Sequence, residues 1–262
     1  MQHNPVKHRL RDGGVAVGTM VFEFHTVGLP RIASAAGAEF VLLDMEHTGW
    51  SIETIKQLIA TSRPVETVPM VRVPACEYHF IARVLDMGAM GVMVPMVETA
   101  EQARKLVASA KYPPDGRRGA AFGIAHDAYV LGNVTETMQA ANREQLLIAQ
   151  IETRAGLENV ERIAAVDGID VLWIGQFDLT SSLGIPGRFD RPEFHEAVDR
   201  VLAACRRHDR AAGYMVMSVA EARTMLDRGF RCLAYSGDLW IYQQALREGV
   251  TAIRAAAGGK GD

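Results

Sequence analysis

The chain predicts an α/β fold closed into a TIM-type (β/α)8 barrel, and three observations carry that prediction. Apolar, strand-like runs alternate with helix-like segments along the whole chain, in roughly eight β/α units. No linker or shift of composition divides them, so residues 1–262 form a single domain. The length of 262 residues is ordinary for one such barrel, for which about 250 is typical. A doubly wound open sheet can be built from the same units. Both architectures place ligands at the carboxyl ends of the strands.

Taken in order, residues 14–22 form a glycine-bounded strand and 29–36 a helix of small residues. The apolar run 40–46 is the second strand. Ser51 can cap the next helix, which runs through Arg63 with Thr54 rather than an acid at the third helical position. Residues 65–73 are a strand, 78–87 a helix with apolar residues at helical spacing, and 91–96 a strand. Thr99 and Gln102 make a capping box for a helix reaching about Tyr112. The only long irregular stretch, 113–132, leads to a short helical pattern ending near Asn142. Residues 146–152 are the fifth strand with helix 155–166, and 171–175 the sixth, followed by a loop to Asp190 and helix 192–208. Residues 211–216 pair with helix 220–228, and 232–237 with a long terminal helix from Asp238. The tail, 258–262, is expected to fray.

With 48% hydrophobic and 23% charged residues, the chain can fill a sizeable core. Its net charge of −3 gives no reason to expect nucleic acid or a membrane surface. Cys76, Cys205 and Cys232 contain no CxxC pair, which argues against a disulfide framework and a thiolate zinc site and suits a reducing cytoplasm. No apolar stretch approaches the ~20 residues needed to cross a bilayer, and residues 1–14 lack a signal-peptide core. A soluble cytoplasmic protein is expected.

Polar groups concentrate at the ends of the apolar runs. The second strand ends in Asp44-Met45-Glu46-His47, the third contains Arg72, the fifth supplies Gln150 and Glu152, and Asp178 follows the sixth. Neighbouring strands lie about 5 Å apart, so Glu152 and Asp178 can share one cation. Two carboxylates without a thiolate or paired histidine would select Mg²⁺, Mn²⁺ or a similar hard ion. Alternatively each acid pairs with a base, or Asp178 caps the helix that follows. Arg72 must face a carboxylate, either Asp44 or Glu46 or one on a substrate. His47 is placed to act as a general base or as a structural histidine. His126 is read as a lid or specificity residue and His25 and His79 as pocket lining. His3 and His8 lie near the terminus, and His195 and His208 look like solvated helix positions. There is no GxGxxG after a strand and no Walker loop. No lysine clearly ends a strand, which disfavours a Schiff base and leaves a metal as the electron sink.

Together these residues resemble the HpcH/HpaI aldolase family of class II pyruvate-dependent aldolases. The matching stretches are LLDMEH (42–47), PMVRVP (69–74), VLDMG (84–88), VMVPMVETAEQA (92–103), YPPDGRRG (112–119), QIET (150–153) and IGQFDLTSSLG (174–184). The resemblance implies a TIM barrel assembled as a homohexamer, a trimer of dimers with the last helix exchanged between subunits. It implies cleavage of 4-hydroxy-2-oxo acids to pyruvate and an aldehyde in aromatic or sugar-acid catabolism, and the reverse addition. A divalent cation (Mg²⁺, Mn²⁺ or Co²⁺) would be held by Glu152 and Asp178, with Gln150 and the backbone near Phe177 and Asp178 completing the pyruvate pocket. Arg72 would stabilise the enolate, and His47 would be the base, its basicity raised by Asp86. Asp44 would stand near His47 or at a subunit contact. The family's usual GPADLS reads GQFDLT here, placing Gln176 and Phe177 beside the metal. The loop AAFGIAHDAYV lacks the arginine of the dicarboxylate enzymes, so a smaller or more apolar acceptor aldehyde is expected. A citrate-lyase-like or coenzyme A ester lyase and a non-catalytic 2-oxo acid binding barrel are the competing functions. No basic cluster suggests a coenzyme A site.

Overall fold

The computed structural model describes residues 3–62 and 65–258. Eight parallel strands pair in sequence order, and the last pairs with the first to close a barrel. They are β1 (Ala16–Val21), β2 (Phe40–Asp44), β3 (Val68–Arg72), β4 (Gly91–Val94), β5 (Leu146–Ile151), β6 (Val171–Ile174), β7 (Ala211–Val216) and β8 (Cys232–Gly237). The helices are α1 (Pro5–Arg11), α2 (Leu29–Ala35), α3 (Ile52–Ser62), α4 (Tyr78–Asp86), α5 (Ala100–Ala110), α6 (Val134–Glu144), α7 (Arg154–Glu158), α8 (Val160–Ala164), α9 (Gln176–Ser182), α10 (Pro192–Arg207), α11 (Val219–Arg228) and α12 (Asp238–Gly258). Closure rules out the open sheet.

Side chains alternate across a strand, so closure sorts them into two cores. The outward set, including Leu43, Val71, Leu147 and Leu172, packs under the surrounding helices. The inward set is separate: Phe40 and Leu42, Val68 and Met70, Leu146 and Ile148, Val171 and Trp173 fill the barrel with their neighbours. The Phe40 and Trp173 rings occupy the space that a Cβ would take at Gly18 and Gly213, so those strands carry no side chain where the ring passes.

The expected elements form, with instructive differences. Ser51 and Thr99 cap as expected, the latter with Gln102 in a full capping box. Helix α1 was not expected. Asn4 caps it, Pro5 opens it, and Val6 and Leu10, one turn apart, are buried against the inward core. Asn4 Nδ2 donates to the carbonyl of Met90, and Arg231 donates to that of Leu10, both next to strand starts. The helix therefore plugs the end of the barrel from which the strands set out. The helix expected over 155–166 breaks at Asn159 into α7 and α8, where the Asn159 amide reaches across to the carbonyl of Glu98. The loop after β6 contains α9. Strand β4 ends at Val94 because Met96 turns to a positive φ of 54° and donates its N–H away from the sheet. Arg63 and tail residues 259–262 lie outside the described residues.

Along α12 only Asp238 is buried, and Tyr242, Leu246, Val250 and Ile253 form an exposed apolar stripe. No helix among the described residues is long and apolar enough to cross a membrane.

Because Leu10 seals the inward core, Leu10→Ala is expected to destabilise the protein by about 2–5 kcal/mol, measured by urea denaturation. Burial pushes the thiols of Cys205 and Cys232 up to about 12. A chromogenic disulfide reagent at pH 8 should therefore leave both unmodified in the native state and titrate all three cysteines after denaturation.

Candidate active site

A polar layer sits directly on the inward core, and the strand period produces it. On β5 the inward face runs Leu146, Ile148, Gln150 and then Glu152, one residue beyond the strand. On β2 it runs Phe40, Leu42, Asp44, and on β3 Val68, Met70, Arg72. Asp44 and Arg72 are register partners, and Arg72 Nε donates to Asp44 Oδ1 at 2.7 Å. Arg72 Nη1 lies 3.1 Å from Glu46 Oε2. Burial opposes the guanidinium charge, yet the bond to Asp44 and the charges of Asp44, Glu46 and Glu152 outweigh it and raise the Arg72 pKa. The Asp44 carboxylate also accepts the backbone N–H groups of Glu46 (3.0 Å) and His47 (3.1 Å). It thus fixes the turn that carries His47.

Glu152 is 1% exposed. Its Oε1 accepts the Met96 N–H at 2.6 Å, and its Oε2 accepts from the Gln150 amide. That same oxygen fills the space a Cβ would need at Gly175. Burial pushes Glu152 up to about 7, with Glu46 and Asp178 adding to the rise against the Met96 and Gln150 hydrogen bonds. Burial likewise pushes Glu46 up to about 7, opposed by Arg72 and reinforced by Asp44 and Asp178. Glu46, Glu152 and Asp178 therefore feel one another across the mouth of the barrel, with Asp178 in the first turn of α9. Asp44, Glu46 and Glu152 act on a single guanidinium, and exposed Asp178 adds a fourth carboxylate at the rim.

The residues fit a hard divalent cation. Glu152 and Asp178 offer carboxylate oxygens from adjacent β/α units, Gln150 Oε1 is buried without a hydrogen-bond partner, and Glu46 Oε2 has only the Arg72 guanidinium beside it. An orphaned buried oxygen such as that of Gln150 is costly unless something positive reaches it. Sequence reasoning treated Glu46 only as a partner for Arg72. The signal for more was its place two residues after Asp44 on the inward face.

His47 is exposed, its Nε2 is 3.7 Å from Glu46 Oε2, and it lines an 800 Å³ cavity with His25, Trp50 and Trp240. His25 meets the Trp50 ring edge-on, as pocket lining should. Phe177 is exposed beside Asp178 with its ring against Phe189. Gln176 is buried, and its amide donates to the Met215 carbonyl near the carboxyl end of β7.

Asp86 departs from expectation. It ends α4 at the start-of-strand end of the barrel and pairs with buried Arg118 at 2.5 Å, so within one chain it does not reach His47. Arg118 is completely buried under the Tyr112 ring and needs that carboxylate. His126 is buried against Phe122 and Tyr112 with Nε2 2.7 Å from the Ala121 carbonyl, which makes it a packing residue of the irregular stretch rather than a lid tip. His79 lies exposed on α4, stacked on Phe80, and His208 pairs with Glu161. Asp238 escaped sequence reasoning altogether. Its buried carboxylate accepts three backbone N–H groups, from Phe22, Glu23 and Phe24, and so shapes the loop after β1.

Residues 26–245 match the profile of the HpcH/HpaI aldolase/citrate lyase family. The chain is 35% identical over 243 residues to the 2-keto-3-deoxy-L-rhamnonate aldolase of Klebsiella pneumoniae subsp. pneumoniae, covering 93% of this chain and 90% of the relative. It is 33% identical to the 5-keto-4-deoxy-D-glucarate aldolase of the same organism, over 85% of this chain and 86% of that one. The crystal structure of an HpcH/HpaI aldolase from Desulfitobacterium hafniense DCB-2 superposes with a TM-score of 0.90 at 32% identity, covering 95% and 96% of the two chains.

Since Glu152 occupies the space beside Gly175, Gly175→Ala is expected to destabilise the fold by about 1–3 kcal/mol. In a double-mutant cycle read by thermal unfolding, Glu152→Ala should relieve only part of that loss, because it removes the carboxylate oxygen but leaves the Cβ at 152 and the Gln150 amide close to the new methyl group.

Proposed function

The chain belongs to the HpcH/HpaI aldolase/citrate lyase family, and from that premise we propose that it is a metal-dependent aldolase that cleaves a 4-hydroxy-2-oxo acid to pyruvate and an aldehyde and catalyses the reverse addition. One observation carries the reading: buried carboxylates gathered around one guanidinium at the carboxyl end of the barrel, with the amide oxygen of Gln150 buried beside them without a hydrogen-bond partner. The relatives' names extend it to the substrate class. A 2-keto-3-deoxy sugar acid carries at C4 the hydroxyl that retro-aldol cleavage requires.

In this reading Glu152 and Asp178 hold Mg²⁺, Mn²⁺ or Co²⁺. The cation, when bound, supplies Lewis-acid withdrawal of electrons from the 2-oxo group. His47 takes the proton of the C4 hydroxyl, directly or through water, and the C3–C4 bond breaks as that oxygen becomes the aldehyde carbonyl. The electron pair passes to the three-carbon fragment, whose enolate forms beside Arg72. The guanidinium is already oriented there by Asp44 and Glu46, so it meets the developing charge without rearranging. Gln150 and the backbone around Phe177 and Asp178 line the 2-oxo acid. Phe177 gives the acceptor side an apolar wall, which favours a small or apolar aldehyde. The exposed apolar stripe of α12 supports a homo-oligomer, a hexamer in the proposal, in which that helix packs on a second copy.

Exchange of the pyruvate methyl protons with D₂O, followed by proton NMR, tests enolate formation without knowledge of the acceptor. Exchange should require a divalent cation, and Glu152→Gln should abolish it. Arg72→Lys, which keeps a charge but loses the fork, should slow exchange by on the order of 100-fold. Absence of exchange with Mg²⁺, Mn²⁺ and Co²⁺ alike overturns the aldolase reading, and near-normal exchange in Arg72→Lys overturns the role of Arg72. Cleavage assays over a panel of 4-hydroxy-2-oxo acids then identify the aldehyde.

A further inference from the structure

Among the described residues, one group of three histidine, cysteine or acidic side chains has its donor atoms all within 4.8 Å of one another, and it lies away from the mouth. It consists of His3, His8 and Glu144. His8 Nε2 is 3.1 Å and 3.0 Å from the two Glu144 oxygens, and His3 Nδ1 is 3.5 Å from Oε2. The two imidazole rings are 4.4 Å apart between centroids. His3 stands just before the cap of α1, His8 one turn inside it, and Glu144 is the last residue of α6, two residues before β5 begins. The cluster therefore bridges the plug helix and the barrel wall.

We propose that His3, His8 and Glu144 form a second metal site, for Zn²⁺ or a similar imidazole-seeking ion, at the end of the barrel opposite the mouth. Tetrahedral ligands about 2.0–2.1 Å from zinc lie about 3.3 Å from one another, and the His8–Glu144 and His3–Glu144 separations, 3.0 and 3.5 Å, bracket that value. Two imidazoles and one carboxylate select Zn²⁺, Ni²⁺ or Cu²⁺ over the hard ions that suit the all-oxygen mouth. The carboxylate is already oriented, because Glu144 Oε2 accepts the Asn4 N–H at 2.7 Å, a supporting bond of the kind that tunes metal ligands. Of the cations that line the neighbouring cavity, Lys7 pairs with Asp170 at 2.8 Å and Arg11 with Asp12 at 3.1 Å, while Lys111 and Arg143 remain as opposing charge. Three protein ligands leave a fourth position for water. The metal would act as a clasp: it ties the segment before α1 and the helix itself to the start of β5, and so secures Val6 and Leu10 over the inward core.

The test uses the Glu152→Gln protein, in which the mouth site is disabled, stripped with EDTA and titrated with Zn²⁺ by calorimetry. One Zn²⁺ per chain is expected, with a rise in Tm. Adding His8→Ala or His3→Ala should weaken binding on the order of 100-fold and remove the Tm shift. His8→Gln, which can still hydrogen-bond Glu144, serves if the alanine variant does not fold. Co²⁺ gives an independent readout, since its visible ligand-field bands should disappear with either histidine. Failure of Glu152→Gln to bind Zn²⁺, or unchanged binding after either histidine is replaced, overturns the site and leaves an imidazolium–carboxylate ion pair in its place.

Discussion

The ion pair between Arg72 and Asp44 lies across the β2–β3 register inside a closed barrel, and the mouth of the molecule is organised around it. A guanidinium in that position is tolerable only when its charge is answered, and Asp44 answers it from the adjacent strand. Asp44 in turn accepts the two backbone N–H groups that set the turn to His47. Glu46 approaches the same guanidinium from above, and Glu152 feels its charge. Buried pairs of this kind add little net stability compared with apolar packing, so the physical gain lies in orientation. The donors of Arg72 point to one place, and the loop bearing His47 is tied to the same carboxylate.

One guanidinium does not balance four carboxylates. Burial pushes both Glu46 and Glu152 up to about 7, and the neighbouring carboxylates add to the rise. A divalent cation would answer that surplus of negative charge directly. Gly175 is the steric counterpart of that arrangement, since only a residue without Cβ leaves room for the Glu152 carboxylate. The two ends of the barrel are thus chemically opposite. The strand ends carry oxygen donors over an apolar filling, and the strand starts are closed by the apolar plug of α1, with two imidazoles beside it.

The inward rows of the strands explain why so much of the site was legible in advance. A polar residue that ends an apolar run by the period of two stands directly on the barrel filling, so Asp44, Arg72, Gln150 and Glu152 identified themselves. Asp178 did so by following the next strand. Glu46 obeyed the same period but was read only as a salt-bridge partner. Its elevated pKa comes first from burial, which the packed mouth imposes, with Asp44 and the distant Asp178 adding to it. Helix α1 was overlooked because seven residues with two apolar positions make a weak periodic signal, although Asn4 and Pro5 mark its start.

By itself, the sequence determined the alternating α/β class, the succession of strand and helix segments, the caps of α3 and α5, and the level in each strand at which polar groups begin. These follow from local periodicity and hydrogen-bonding capacity, which act over a few residues. Only the tertiary structure decided that the sheet closes and that α9 folds within the loop after β6. It also turned Gln176 toward β7 and tied Asp86 to Arg118 rather than to His47. Each of these depends on which groups from distant segments are left to satisfy one another when the interior is dry. A buried amide or guanidinium takes the partner that the closed barrel brings within reach.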